Sequence, residues 1–268
     1  MASPLATISS DSRLTETWRT LRGVRRTGLI PYLTAGFPTT PASRDALRAI
    51  DPFADIIEVG VPFSDPLADG PTIQASTFRA LANGMTLPGT LELIASAQLR
   101  SPVVLFTYLN PVLQYGVDRL LRDAASIGIA GLLLTDLPAG ADAAVETAVQ
   151  HSELDLIRLV APTSRSERIV AAVDGAQGFI YLIARLGVTG ASTSLAADLE
   201  GSIARVRAAT TLPIAVGFGV STAAQAASVA RLADGVVVGS ALVQTLGCDG
   251  VAAAAEFMAT MRSAVDAT

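Results

Sequence analysis

The sequence predicts an α/β fold, a single-domain (β/α)8 (TIM) barrel with an extra N-terminal helix. Three observations lead there. Short apolar runs of strand length alternate with longer stretches of helical spacing through most of the 268 residues. The runs are apolar at nearly every position, as in a parallel sheet covered on both faces. Eight strand–helix pairs in about 250 residues fit a closed barrel. An open doubly wound sheet is the competing arrangement.

In chain order, Ser12 to Arg22 reads as the extra helix, closing the bottom of the barrel. The strands are Leu29 to Leu33, Asp55 to Gly60, Val103 to Thr107, Gly131 to Leu134, Leu156 to Val160, Gly178 to Ile183, Pro213 to Val216 and Gly235 to Val238. Between them, helical spacing covers Ser43 to Ile50, Thr72 to Asn83, Leu87 to Leu99, Val117 to Ser126, Ala141 to Gln150, Ser166 to Val173, Leu195 to Ala208 and Thr222 to Arg231. A last helix, Val251 to Ala267, follows the final strand. No Pro- or Ser-rich linker divides the chain, so residues 1–268 are expected to form one domain.

Composition narrows the chemistry. All 19 basic residues are arginine, which excludes a lysine Schiff base. One histidine, His151, and one cysteine, Cys248, leave no material for a Cys–His dyad, a CxxC zinc site or a disulfide framework within one chain. Acid–base work falls to Asp, Glu or Tyr. The net charge of −5 without a basic run argues against nucleic acid or an anionic membrane surface as partner. Met1 to Arg13 lacks the apolar stretch of about 7 to 15 residues of a signal peptide, and no run approaches the roughly 18 of a membrane span. A cytoplasmic protein is the expectation.

In such barrels, function collects where strands run into the following loops. Glu58 lies inside the second strand, flanked by Ile57 and Val59; a carboxyl there is costly unless paired or protonated, and desolvation raises its pKa. It reads either as a general acid or as one half of a structural ion pair. The next loop carries Asp65 and Asp69 before a helix near Thr72, which an aspartate could simply cap. Gly217-Phe218-Gly219 and Gly239-Ser240 follow strands seven and eight, where bare backbone amides and a helix N-terminus can hold a phosphate. Arg185 to Thr193 has the small, flexible composition of a lid. Tyr108 to Asn110 and Tyr181 lie at strand ends, open to the barrel mouth. His151 reads as a helix-end cap and Trp18 as packing.

The run Glu58-Val59-Gly60-Val61-Pro62-Phe63-Ser64-Asp65-Pro66-Leu67-Ala68-Asp69-Gly70-Pro71 closely resembles the signature of the tryptophan synthase alpha subunit. Pro31 to Gly36, Thr107 to Pro111, Thr135 to Pro138, Arg185 to Gly190, Gly217 to Gly219 and Gly239-Ser240 follow in that family's order and spacing. The resemblance implies a lyase of tryptophan biosynthesis that splits indole-3-glycerol phosphate into indole and glyceraldehyde 3-phosphate without a cofactor of its own. It assigns acid–base chemistry to Glu58 and a hydrogen bond from the indole N–H to Asp69, with Asp69 kept ionised by solvent and its loop. Tyr181, Thr189, Phe218 and Tyr108 are expected around the substrate, and Gly190, Gly219, Gly239 and Ser240 around its phosphate. It further implies a complex of two alpha and two beta subunits, with pyridoxal phosphate only in the beta partner and Asp65, Pro66, Asn110 and Asp136 at the contact. Phe37 departs from the polar residue many relatives carry and is expected to alter partner contact. The alternatives are a stand-alone lyase releasing free indole, or a non-catalytic paralogue that activates a beta subunit.

Overall fold

Eight parallel strands pair in chain order and the eighth closes on the first, a closed barrel. The computed structural model describes residues 12–161, 164–183, 193–217 and 219–268. The strands are β1 (Gly28–Thr34), β2 (Ile57–Gly60), β3 (Val103–Thr107), β4 (Ile129–Leu134), β5 (Asp155–Val160), β6 (Ile180–Ile183), β7 (Ile214–Gly217) and β8 (Gly235–Val238). The helices are α1 (Arg13–Gly23), α2 (Thr40–Ile50), α3 (Pro71–Ala82), α4 (Leu87–Ala97), α5 (Leu109–Tyr115), α6 (Val117–Ser126), α7 (Ala143–Gln150), α8 (Ser166–Val173), α9 (Thr193–Arg207), α10 (Ala223–Ala230) and α11 (Ser240–Asp266). The open-sheet alternative is thereby excluded.

Two apolar layers hold the barrel. Leu29, Leu33, Ile57, Val59, Leu105 and Leu132 face the helices, while Ile30, Ile56, Val104, Ile157, Phe179, Ala215 and Val237 fill the interior. Strand alternation produces this division, because successive side chains point to opposite faces. Helix α1 is the expected plug. Ser12 caps it, its hydroxyl accepting from Thr15 N at 3.1 Å. Leu14, Trp18 and Leu21 join the interior cluster, with Trp18 edge-on to Phe179 at 5.7 Å. A Cβ at Gly28 or Gly235, the first residues of β1 and β8, would crowd the Trp18 ring, so this indole seals the N-terminal end. Outside the barrel, Arg262 of α11 donates to Asp55 at 2.8 Å, and Asp55 also accepts from Leu29 N.

Two helical segments depart from the expected pattern. Helix α5 has no side-chain cap of its own; Asp136, beyond β4, accepts from Leu109 N at 2.7 Å instead. The expected last helix begins earlier, at Ser240, and Gly250 at φ +86° breaks the run in two. Phe37 packs against α11, where a Cβ at Gly247 would collide with its ring. His151 caps α7, its Nδ1 2.8 Å from Thr147 O.

Candidate active site

Glu58 shares strand parity with Ile56 of the barrel interior and lies beside Tyr32 of β1 in register. It is fully buried, and neither carboxyl oxygen has a hydrogen-bond partner among the described residues. Among those residues nothing forms an ion pair with it, which favours the general-acid reading. Burial alone lifts its pKa from 4.5 to about 8, leaving a protonated acid at neutral pH. The phenols of Tyr32 and Tyr181 are within its electrostatic reach, each itself raised, chiefly by burial.

This placement carries a stability signature. The folded state keeps a proton that the unfolded chain releases, so the group supports folding fully below about pH 4.5 and withdraws that support as pH climbs through about 8. Glu58→Gln removes the titration. Its melting temperature relative to the parent is expected to rise from near equality at pH 5 to an advantage of roughly 5 °C or more at pH 9. Calorimetry across that range checks it, and parallel curves would contradict a buried, unpaired carboxyl.

Asp69 sits at the far end of the loop after β2. The cap of α3 is Gly70, with no side-chain cap bond, so capping does not account for Asp69. Its setting differs from the solvated one expected: burial outweighs the Tyr108 hydrogen bond and raises its pKa from 3.8 to about 6. At neutral pH Asp69 is still mainly an anion while Glu58 is mainly an acid. The loop is held by three hydrogen bonds to two side chains. Ala68 N donates to Tyr108 Oη at 3.0 Å, and Gln74 Nε2 donates to Asp69 O at 2.9 Å and Pro66 O at 3.3 Å. Tyr108 is buried against Phe63, ring centroids 5.0 Å apart.

Tyr181 faces the interior over Gly217, where a Cβ would collide with its phenol. Gly239 is the N-cap of α11 and supplies no side chain to cap it, so the first-turn amides of Ser240 and its successors are uncapped by a side chain. Gly219 takes φ +94° and is exposed. The expected site residues Thr189, Gly190 and Phe218, and the lid segment Arg185 to Ser192, lie outside the described residues. Asp65 and Asn110 are exposed, and Pro66 is buried beside the 91%-exposed Leu67. Asp136 joins this side through its bond to Leu109 N. Tyr32 is the residue that sequence reasoning missed; its parity with Glu58 emerges only from the β1–β2 register. Among the described residues no three His, Cys, Asp or Glu side chains are grouped to hold a metal.

The family model for the tryptophan synthase alpha chain matches residues 19–266. Curated relatives agree along nearly the whole length. The tryptophan synthase alpha chain of Picosynechococcus sp. is 45% identical over 260 residues, covering 94% of this chain and 98% of its own. That of Acidiphilium cryptum is 48% identical over 240 residues, covering 88% and 87%. The chain belongs to the tryptophan synthase alpha chain family. Its fold matches solved members: a Mycobacterium tuberculosis tryptophan synthase chain at TM-score 0.87 and 41% identity, covering 96% of this chain and 99% of that one. The alpha subunit from Legionella pneumophila gives 0.88 at 33% identity, covering 97% and 100%. Family membership makes this chain an enzyme subunit of tryptophan biosynthesis that cleaves indole-3-glycerol phosphate.

Proposed function

We propose that Glu58 and Asp69 divide the cleavage of indole-3-glycerol phosphate between them, Glu58 as acid and base and Asp69 as the anion at the indole nitrogen. Breaking the bond from indole C3 to the glycerol chain needs a proton on C3 and loss of the proton from the adjacent chain hydroxyl. The proton on C3 makes a cationic indolenine; the carbon–carbon electron pair then returns to the ring as the hydroxyl becomes the aldehyde of glyceraldehyde 3-phosphate. Glu58 enters protonated and gives its proton to C3, and its carboxylate takes the hydroxyl proton, so the group ends as it began. The observation that carries this reading is a fully buried carboxyl, unpaired among the described residues and pushed to about 8, on the interior face of β2. Asp69, mainly ionised at neutral pH, offsets the charge reaching N1. Tyr181, Tyr108, Thr189 and Phe218 are assigned to the substrate. Indole release by the purified chain tests the reading directly, and absence of any turnover would refute it.

The phosphate is assigned to Gly190, Gly219, Gly239 and Ser240, with the uncapped start of α11 as the supporting feature. Gly239→Ala isolates this assignment. Its backbone is at φ −117°, and an added Cβ would meet Tyr32 only at ordinary contact, 3.6 Å, so the fold is expected to persist. Affinity for glycerol phosphate, measured by titration, is expected to fall about tenfold with the melting temperature unchanged. Unaltered affinity would remove Gly239 from the site.

The same reading places residues 1–268 in one domain, in the cytoplasm, with a beta subunit docked on the loops of Asp65, Pro66, Asn110 and Asp136. Exposed Leu67 and Leu113 supply apolar surface on these elements. No helix among the described residues is long and apolar enough to cross a membrane. Pyridoxal phosphate belongs to the partner, since this chain has no lysine to hold it as a Schiff base. Turnover is expected to rise at least about tenfold on adding beta subunit. Unchanged turnover would favour the stand-alone lyase.

A further inference from the structure

Tyr32 spans the interval between the two halves of this site. Its Cβ lies 3.6 Å from where a side chain at Gly239 would begin, and its hydroxyl occupies the space that a Cβ at Gly60 would need. Glu58 is its register partner on β2, and Asp69 is within its electrostatic reach. The ring is fixed edge-on to Phe106 at 5.3 Å. In the placement proposed above, with phosphate at Gly239 and indole at Asp69, this phenol is the side chain beside the path of the glycerol chain.

Hydroxyl bonding sets the direction of the phenol's own proton. Ser76 Oγ donates to Ile73 O at 2.7 Å, because a carbonyl can only accept. Ser76 has then spent its one proton, so Thr34 Oγ1 donates in their 2.7 Å contact. Thr34 in turn accepts from Tyr32 Oη across a longer 3.5 Å gap. The chain runs one way, from Tyr32 into α3, and no donor among the described residues is directed at Tyr32 Oη. Its free lone pair can serve only as an acceptor.

We propose that Tyr32 is a substrate-positioning residue whose phenolic oxygen accepts a hydrogen bond from a hydroxyl of the glycerol chain. This rests on the placement of phosphate and indole given above. The test is Tyr32→Phe, which keeps the ring and its packing, compared on two ligands: indole-3-glycerol phosphate and indole-3-propyl phosphate, whose chain has no hydroxyl. The expected result is a fall of about tenfold in kcat/KM for the substrate, the loss of one neutral hydrogen bond. The Kd of the propyl phosphate should stay within about twofold. Equal losses on both ligands would reduce Tyr32 to packing and overturn the proposal, as would no loss on either. Failure of the underlying placement is read separately: Gly239→Ala would then leave binding of both ligands unchanged.

Discussion

Glu58→Gln is expected to lower the turnover of indole-3-glycerol phosphate by about 10²- to 10⁴-fold, the range typical of a lost general acid–base group. Glutamine has nearly the shape of a protonated glutamic acid, and the parent side chain makes no hydrogen bond among the described residues that the amide would break. Substrate affinity is therefore expected to hold within about threefold, placing the loss in kcat. Stopped assays of indole release, with Kd measured by titration, separate the two quantities. A variant retaining more than a tenth of parent turnover would remove Glu58 from the acid–base role. The same substitution raising stability at high pH while abolishing turnover would mean that the enzyme carries a destabilising group for the sake of its chemistry.

Asp69→Asn is expected to cost about 10²- to 10³-fold in kcat, comparable to deleting one preorganised electrostatic group at a charge that develops during reaction. An amide oxygen still accepts a bond from the indole N–H, but it carries no charge to offset the indolenine cation. The pH profile supplies a sharper check. With Asp69 raised to about 6 and Glu58 to about 8, kcat/KM should trace a bell, falling below about pH 6 as Asp69 takes up a proton and above about pH 8 as Glu58 loses its own. In Asp69→Asn the acidic limb is expected to disappear while the alkaline limb remains. An acidic limb that persists unchanged would assign it to another group.

The barrel was legible because its strands are apolar on both faces: Val103–Thr107 and Gly235–Val238 have the bounds that their composition suggests. Glu58 was legible for the complementary reason, a charge where the sequence otherwise permits none. Elements whose support comes from far along the chain were not. Helix α5 is short, and its cap is Asp136, 27 residues away, so nothing local announces it. The last helix is expected only from Val251, whereas it starts at Ser240, because Gly247 and Gly250 give the first stretch of α11 the look of a loop. Asp69 was assigned to a solvated setting, whereas burial beside Tyr108 dominates, and that contact belongs to the β3 junction. Tyr32 escaped because a tyrosine in an apolar run does not reveal which face it takes until β1 is aligned with β2.

The two interior tyrosines that lean over glycines on the next strand, Tyr32 over Gly60 and Tyr181 over Gly217, make positions 32 and 60, and likewise 181 and 217, epistatic. A library that randomises either glycine alone would mostly return misfolded or pocket-occluded clones, because any added carbon evicts a phenol. Trimming the aromatic partner in the same clone frees the volume that the new side chain needs. Redesign of this catalyst toward bulkier indoles is therefore best run as paired-site saturation, with each tyrosine–glycine couple treated as one genetic unit.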